Sequence, residues 1–181
     1  MATLGNINNA DGLTIQFSGD FQRYNSPHVN RLRAVNTDGP MKWYEMDIDL
    51  AKVGASTTYY PFDLNGDGTR DGFNTGEAYL PAGSQIMRAF VICTEVAAGG
   101  TDFTVGTYGV TGTAIDADGI VAAAEGAIAN LGTVGEKITA AGALVSASSG
   151  TVGITASSYV AVTTNGTFTA GKGRLYIEVA N

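Results

Sequence analysis

The most apolar stretch of the chain, Gln85–Val96, predicts the strand around which the other elements are organised. In an extended conformation its apolar side chains divide between two faces. One face carries Ile86, Phe90, Ile92 and Val96, and the other carries Met87, Ala89, Val91 and Cys93. Apolar residues on both faces indicate a strand that is covered from both sides or that meets another chain. Pro81-Ala82-Gly83 before it and Gly99-Gly100 after it favour a strand over a helix.

Two further segments alternate between apolar and polar residues, which is typical of a strand with one buried face. In Met41–Val53 the predicted inner residues are Tyr44, Met46, Ile48 and Leu50, and the outer residues are Glu45, Asp47 and Asp49. In Gly171–Ala180 the predicted inner residues are Leu175, Ile177 and Val179, and the outer residues are Lys172, Arg174, Tyr176 and Glu178. This pattern predicts a C-terminal strand that is held in a sheet.

Shorter patterns supply the remaining elements. Short strands are predicted at Phe103–Val110, Val134–Ile138, Ala143–Val145, Val152–Ile154 and Tyr159–Thr164. The dipeptide Asn165-Gly166 predicts a hairpin turn, because it adopts positive φ at little cost. One helix of two or three turns is predicted within Ile115–Leu131, with Asp116 or Asp118 as its N-cap.

The predicted fold is therefore all-β, an antiparallel two-sheet β-sandwich of jelly-roll-like type with at most one or two short helices. A chain of 181 residues suits one domain, or one domain with an arm. Residues 1–40 are irregular and are predicted to form an N-terminal arm or first layer. Residues 41–181 are predicted to form the β-sandwich domain.

Composition excludes several classes of function. The net charge is −7, with 10 Lys and Arg against 17 Asp and Glu. A nucleic-acid partner is not expected, because the sequence lacks the basic stripe that such proteins normally show. No apolar run approaches the roughly 18 residues of a membrane span, so no membrane partner is expected. The single cysteine excludes an intrachain disulfide. The first residues lack the features of a secretory signal, and we expect synthesis in a cytoplasm.

The low charge also bears on partners. Only 15% of the residues are charged, and Gly, Ala, Thr and Ser take their place. A free monomer usually carries more charge, so a surface covered by partners is expected. Three of the ten basic residues, Arg23, Arg31 and Arg33, lie in the irregular first 40 residues. They are candidate contacts to a partner protein or a neighbouring subunit, or they are surface charges that balance Asp11, Asp20 and Asp38.

The carboxylates of the Met41–Val53 strand are one candidate for chemistry. Glu45, Asp47 and Asp49 share a face, as a paired-acid active site or a metal site would require. No general base or fixed cation lies nearby in the sequence. A solvated outer face is therefore the preferred interpretation.

The loop Asp63–Asn74 is the one motif that resembles a metal site. Oxygen ligands recur at Asp63, Asn65, Asp67 and Asp71, and Gly68 allows the sharp turn of a calcium loop. The twelfth position is Asn74, where a bidentate Glu is expected. A loop stabilised by Asx turns explains the same residues without a metal. Calcium is thus a candidate ligand, and no cofactor is required.

Other site classes have weaker support. His28 is the only histidine and lies in a polar segment, which indicates a surface residue. Cys93 lies within the apolar strand, which indicates a buried thiol without reactivity. Aromatic side chains could stack on sugars, although packing in the core is their commoner use. The candidates for stacking are Trp43, Tyr59, Tyr60 and Tyr108.

Several turn and strand motifs together resemble the virion structural proteins of tailed bacteriophages, particularly those of cyanophage type. They are Asn9–Thr14, Leu64–Phe73, Tyr79–Gly83, Ile115–Gly119 and Gly166–Leu175. The closing segment, from Gly166-Thr167-Phe168 to Leu175, is the most specific of them. None of these motifs is catalytic.

The resemblance implies a non-enzymatic decoration (cement) or head-fibre protein on the outer surface of the phage head. Its expected partners are the major capsid protein and copies of itself, and Arg23, Arg31 and Arg33 are the candidate contacts to the capsid or a neighbouring subunit. A trimer is favoured because capsid lattices offer threefold sites. The expected location is the virion. The alternative is a tail-fibre or receptor-binding module that contacts a glycan of the host surface.

Overall fold

The computed structural model describes residues 6–8, 14–16, 41–53, 60–61, 79–109, 111–145 and 153–180. Eleven strands and two helical turns lie in these ranges. The strands are β1 (Asn6–Asn8), β2 (Thr14–Gln16), β3 (Met41–Asp49), β4 (Tyr60–Pro61), β5 (Tyr79–Leu80), β6 (Gln85–Gly99), β7 (Asp102–Tyr108), β8 (Ala114–Val121), β9 (Lys137–Thr139), β10 (Ser158–Asn165) and β11 (Phe168–Ala180). The helical turns are α1 (Leu50–Val53) and a 3-10 helix (Ile128–Leu131).

The strands form two antiparallel sheets and one small ladder. Sheet I has the order β3-β11-β6-β9. Sheet II has the order β4-β10-β7-β8, and β5 also pairs with β10. The ladder joins β1 and β2 through pairs such as Ile7 with Ile15. The predicted all-β, two-sheet sandwich is confirmed.

The strand order is that of a jelly roll. Apart from the two-residue β5, the strands from β3 onward divide into two sheets of four, and the chain passes repeatedly between the sheets. In this architecture two Greek keys wrap into facing sheets, and side chains of the inner faces form the core. The fully buried members of that core come from both sheets and from the connections between them. They include Met46, Leu50, Leu80, Ile86, Val91, Phe103, Val105, Ile120, Leu131, Leu175 and Ile177.

The two alternating segments occupy the faces predicted for them. In β3, Met46 and Ile48 are buried in the core. In β11, Leu175, Ile177 and Val179 are fully buried, while the residues between them lie on the outer face. The first segment ends as a strand at Asp49, and α1 carries the chain onward.

A β-bulge in β6 corrects the predicted facing of Ile86. Ile86 pairs with Val179 and Arg88 pairs with Glu178. Met87, between them, is an extra residue that has no pairing partner on β11. Such an insertion reverses the facing of the residues on one side of it. Ile86 is fully buried with Ala89 and Val91, whereas the alternation placed it with Phe90 and Ile92.

The helix predicted within Ile115–Leu131 is wrong. Residues 114–121 form β8, which pairs with β7 through Thr107–Asp116 and Val105–Val121. Within this segment, the helical structure is a single 3-10 turn at Ile128–Leu131. Neither Asp116 nor Asp118 caps a helix, because both lie in β8. Burial of Ile120 and Val121 against the facing sheet outweighs a weak local helix preference.

The Asn165-Gly166 turn is present, but it does not close a hairpin. It joins β10 of sheet II to β11 of sheet I. Gly166 has φ +88°, and a Cβ on it would lie 2.9 Å from the Cα of Gly100. Gly100 (φ +65°) belongs to the corner that leads from β6 to β7. The two corners between the sheets therefore pack against each other, and Thr101 N–H donates to the Asn165 carbonyl.

Of the other short strands predicted, β7 and β10 are confirmed, and β9 covers Lys137–Thr139 at the end of its predicted segment. Val145 forms an isolated bridge with Ile86. Ile154 exchanges backbone hydrogen bonds with Gly83 and Ser84.

Gly106 offers a test of how tightly β8 crosses β7. A Cβ on Gly106 would overlap the backbone carbonyl of Asp116 and the backbone of Ala117. We expect Gly106→Ala to lower the free energy of unfolding by about 1–3 kcal/mol, measured by urea denaturation, because backbone atoms must shift. The control is Gly109→Ala, whose Cβ would lie 3.7 Å from the nearest atom, the Thr113 carbonyl oxygen. Equal stabilities of the two variants would contradict this packing.

Candidate interaction surface

The outer face of sheet I carries rows of polar and aromatic side chains that cross the strands. We call this surface the outer face. The first row is Trp43, Glu178 and Arg88, and the second is Glu45, Tyr176, Phe90 and Thr139. The third row is Asp47, Arg174, Ile92 and Lys137, and the fourth is Asp49, Lys172 and Glu95. Each row brings together residues that are distant in the sequence.

An aromatic cluster occupies the first two rows of the outer face. Phe90 and Tyr176 are cross-strand neighbours, and their rings stack with centroids 4.8 Å apart and planes 21° apart. Trp43 meets Phe90 edge-on, with centroids 6.2 Å apart. These arrangements are the offset and edge-to-face geometries that aromatic pairs prefer. Within the described part of the chain, each of the three rings is half-buried.

Two cations lie against these rings. The Arg88 guanidinium is 4.7 Å from the centroid of the Trp43 ring, and the Lys137 ammonium is 4.5 Å from that of Phe90. Both lie within cation–π range. Arg88 also forms an ion pair with Glu178. The cations therefore cover ring surface that would otherwise face solvent.

Arg174 connects two carboxylates of β3. Its Nε donates to Asp47 Oδ1 at 2.7 Å, and its Nη1 lies 3.0 Å from Glu45 Oε1. The hydrogen bond to Asp47 raises the pKa of Arg174, although partial burial opposes this shift. The guanidinium is fully charged at any ordinary pH. Lys172 makes a second, more exposed pair with Glu95 at 2.6 Å.

These contacts show the surroundings of Glu45, Asp47 and Asp49, the three carboxylates that the sequence analysis considered as paired acids, a metal site or a solvated face. Glu45 and Asp47 lie on the outer face as preferred, but they are ion-paired with a fixed cation. Asp49 shares this face but is buried and not solvated as expected, and Lys52 Nζ lies 3.7 Å from its Oδ2. Sequence reasoning missed Arg174 as the partner, because it lies 127 residues from Asp47. The outward position of Arg174 was predicted, but its neighbours were not.

Of the aromatic residues proposed for stacking on sugars, the structure describes the side chains of Trp43 and Tyr108, which lie on different sheets. Trp43 lies on the outer face beneath Arg88. Tyr108 is buried in sheet II, where its hydroxyl is 2.8 Å from Thr163 Oγ1. Tyr59 and the side chain of Tyr60 lie outside the described residues.

Several predicted site residues also lie outside the described part of the chain. These are the calcium candidates Asp63, Asn65, Asp67 and Asp71, the arm residues Arg23, Arg31 and Arg33, and His28. Their roles stay predictions. Within the described residues, no group of three or more His, Cys, Asp or Glu side chains is arranged to hold a metal ion.

Cys93 is buried as predicted, with its sulfur 3.7 Å from the Leu131 carbonyl oxygen. Burial raises the pKa of its thiol, which keeps it protonated and unreactive. A small gap in the same region of the core is lined by Ile48, Leu50, Val91, Phe103, Leu131 and Gly173. Its lining is apolar, so it offers no polar group to orient a ligand.

Asp116 and Asp118 form a pair of carboxyl groups on β8. Burial, followed by the hydrogen bond and charge of Asp118, raises the pKa of Asp116. The Asp118 backbone N–H also donates to Asp116. Protonation of Asp116 removes a repulsion, so this pair makes the folded state sensitive to pH.

Comparisons with known proteins add no relative. No family model matches the chain, and no curated protein or solved structure matches it. In the described residues, no helix is both long and apolar enough to cross a membrane.

Arg174 tests the ion pairs of the outer face. We expect Arg174→Met to lower the free energy of unfolding by about 1 kcal/mol at low salt, because Glu45 and Asp47 lose their common partner. The loss should shrink in high salt, which screens partly exposed charges. Lys172→Met is the matched control, and no measurable change is expected, because its pair with Glu95 is exposed. Equal losses in both variants would show that Arg174 has no special role.

Asp116 gives a prediction on pH. A carboxyl with a raised folded-state pKa favours folding at low pH, and this contribution is lost as pH rises through that pKa. We expect Asp116→Asn to be more stable than the wild type at pH 7, since its amide donates to Asp118 and its oxygen still accepts a hydrogen bond. The advantage should disappear near the ordinary pKa of about 3.9. Thermal melts of both proteins across pH measure it, and a constant difference would contradict it.

Proposed function

We propose that this chain is a non-enzymatic structural protein of a phage virion, a decoration (cement) protein that binds the outer surface of the head and stabilises it. Its partners are then the major capsid protein and further copies of itself. The observation that carries the proposal is the jelly-roll sandwich with an ion-paired outer face that bears Trp43, Phe90 and Tyr176.

The fold is compatible with this role. Jelly rolls serve as viral capsid and lectin domains, although a fold by itself hosts many functions. The resemblance of the turn and strand motifs to phage virion proteins supports the choice of a virion role among these functions.

The chemistry of the described surface favours contact with protein. Trp, Tyr and Arg are the residues most enriched at the energetic centres of protein interfaces. Trp43, Tyr176 and Arg88 lie together on the outer face, where Arg88 lies over the Trp43 ring and Tyr176 stacks on Phe90. Side chains that are already ordered lose little entropy when a partner binds.

The glycan-binding alternative receives less support from the same residues. A sugar stacks on an open ring face, but Lys137 lies over the Phe90 ring and Tyr176 stacks on it. Arg88 lies over Trp43. Sugar binding at this place would require these cations to move.

The test is binding to undecorated capsids of the phage whose genome encodes the chain. We expect the purified protein to cosediment with them to a saturable, integral number of copies per capsid site. The loaded capsids should also resist heat or chelator better than bare ones. The control is Leu175→Asp, which places a charge at a fully buried position and should unfold the protein. A folded wild type that fails to bind, and is missing from purified virions by mass spectrometry, would overturn the proposal.

A further inference from the structure

Strand β3 is an edge strand of sheet I. All nine of its residues pair with β11, from Met41 with Ala180 to Asp49 with Lys172, and this ladder contains no register shift. Among the described residues, none forms a backbone hydrogen bond with the other side of β3. A long, regular edge of this kind offers a row of backbone donors and acceptors to an additional strand.

The first half of β3 is its more open half. Residues 43–45 are all half-buried, whereas Met46, Ile48 and Asp49 in the second half are buried. Backbone groups at the start of the strand are therefore the ones that an additional strand can reach. A segment of about five residues would match this part of the edge.

The charges on β3 do not favour pairing with β3 of a second copy. The antiparallel register that joins all nine residues places Glu45 opposite Glu45 of the second copy. Like charges directly opposite each other destabilise a strand pair. Within the described residues, Glu45 and Asp47 already share one cation, the Arg174 guanidinium. The edge instead favours a strand that brings further cations to the outer face.

A segment with this property precedes β3 in the same chain. Arg31–Val35 has the sequence Arg-Leu-Arg-Ala-Val, which places its two arginines on one face of a strand. The segment lies outside the described residues, and residues 36–40 separate it from Met41. They include Asp38-Gly39-Pro40, which favours a turn. Connections of about five residues close antiparallel hairpins.

We propose that Arg31–Val35 adds to the free edge of β3 in the same chain as a fifth strand of sheet I. The hairpin pairs Arg33 with Trp43 and Arg31 with Glu45. Arg31 then brings a second cation to Glu45, an opposite-charge pair that stabilises neighbouring strands. Arg33 reaches the ring of Trp43, where a cation is attracted by the aromatic face. The same register sets Leu32 beside Tyr44 on the inner face.

This inference rests on the proposed function and deepens it. Arg31 and Arg33 are two of the three arginines that are the candidate contacts to the capsid or a neighbouring subunit. In the fifth strand they join the face that carries Trp43, Phe90 and Tyr176. The surface that contacts the capsid is then one continuous face of sheet I and not a separate arm. The added strand also covers an edge that could otherwise pair with edges of other proteins.

A disulfide between the two strands tests the register and the facing. Residues paired across antiparallel strands have Cα atoms about 4.5–5.5 Å apart, within the roughly 4.4–6.8 Å that a disulfide spans. We expect Arg31→Cys/Glu45→Cys to form an intramolecular disulfide on mild oxidation. The matched control is Leu32→Cys/Glu45→Cys, which should oxidise about tenfold more slowly, because its two side chains point to opposite faces. Cys93 is buried and stays reduced. Non-reducing electrophoresis and peptide mass mapping identify the products.

Hydrogen exchange tests the pairing of the backbone in the full-length chain. In an antiparallel pair, alternate residues direct their N–H groups to the neighbouring strand, so Leu32→Pro/Arg33→Pro removes one hydrogen bond to β3 in either register. We expect amide exchange in Met41–Glu45 to become about tenfold faster or more. The control is Gln22→Pro/Arg23→Pro, which also replaces one arginine but lies outside the segment. It should leave exchange in β3 unchanged.

Three results would overturn the inference. The first is equal oxidation of the two cysteine pairs, which is the behaviour of a segment without fixed facing. The second is a disulfide-linked dimer in place of the intramolecular product, which would assign the edge to the arm of another copy. The third is unchanged exchange in Leu32→Pro/Arg33→Pro.

Both measurements use the isolated protein, so they are independent of capsid binding. A disulfide that forms in a protein that does not bind capsids would support the fifth strand and remove the proposed function. Capsid binding by a protein in which the disulfide does not form would remove the fifth strand and support the proposed function.

Discussion

The pairing of β11 with both β3 and β6 is the interaction on which the rest of sheet I depends. Its inner residues Leu175, Ile177 and Val179 are fully buried in the core. Its outer residues Arg174 and Glu178 pair with charges on the two neighbouring strands, 127 and 90 residues away in the sequence. Sheet I therefore assembles only when β11 has paired with β3 and β6. Such non-local strand pairing is typical of slowly folding β-proteins.

The neighbours of β6 explain how a strand with apolar residues on both faces is covered. Ala89 and Val91 face the core, and Phe90 and Ile92 face outward. The Phe90 ring is partly covered by Tyr176, by Trp43 and by Lys137, whose ammonium lies over it. Long cationic side chains commonly cover apolar surface in this way while their charge stays hydrated. The sequence led us to expect that a second layer or another chain covers the outward apolar side chains. Side chains of the same sheet provide part of this cover.

The carboxylates of the two sheets are held in different ways. On the outer face of sheet I, Arg174 pairs with Glu45 and Asp47, and Arg88 pairs with Glu178. Four cations and five carboxylates lie in the described rows, so this face is close to neutral in spite of its many charged residues. On β8 of sheet II, Asp116 lies beside another carboxylate, Asp118, and burial raises its pKa. Protonation relieves the repulsion there, whereas ion pairs relieve it on sheet I.

The sequence alone determined the fold class and the facing of β3 and β11, because strict alternation with a period of two leaves one way to bury the apolar side. The local sequence pattern gave wrong predictions where pairing with distant strands determined the structure. The bulge at Met87 turned Ile86 inward, and pairing with β7 drew residues 114–121 into a strand. The outer position of Arg174, Tyr176 and Glu178 was also predictable, but the surface they build was not. Only the tertiary structure decided which strands became neighbours, because strand order depends on burial across the whole chain and not on the residues of any one strand.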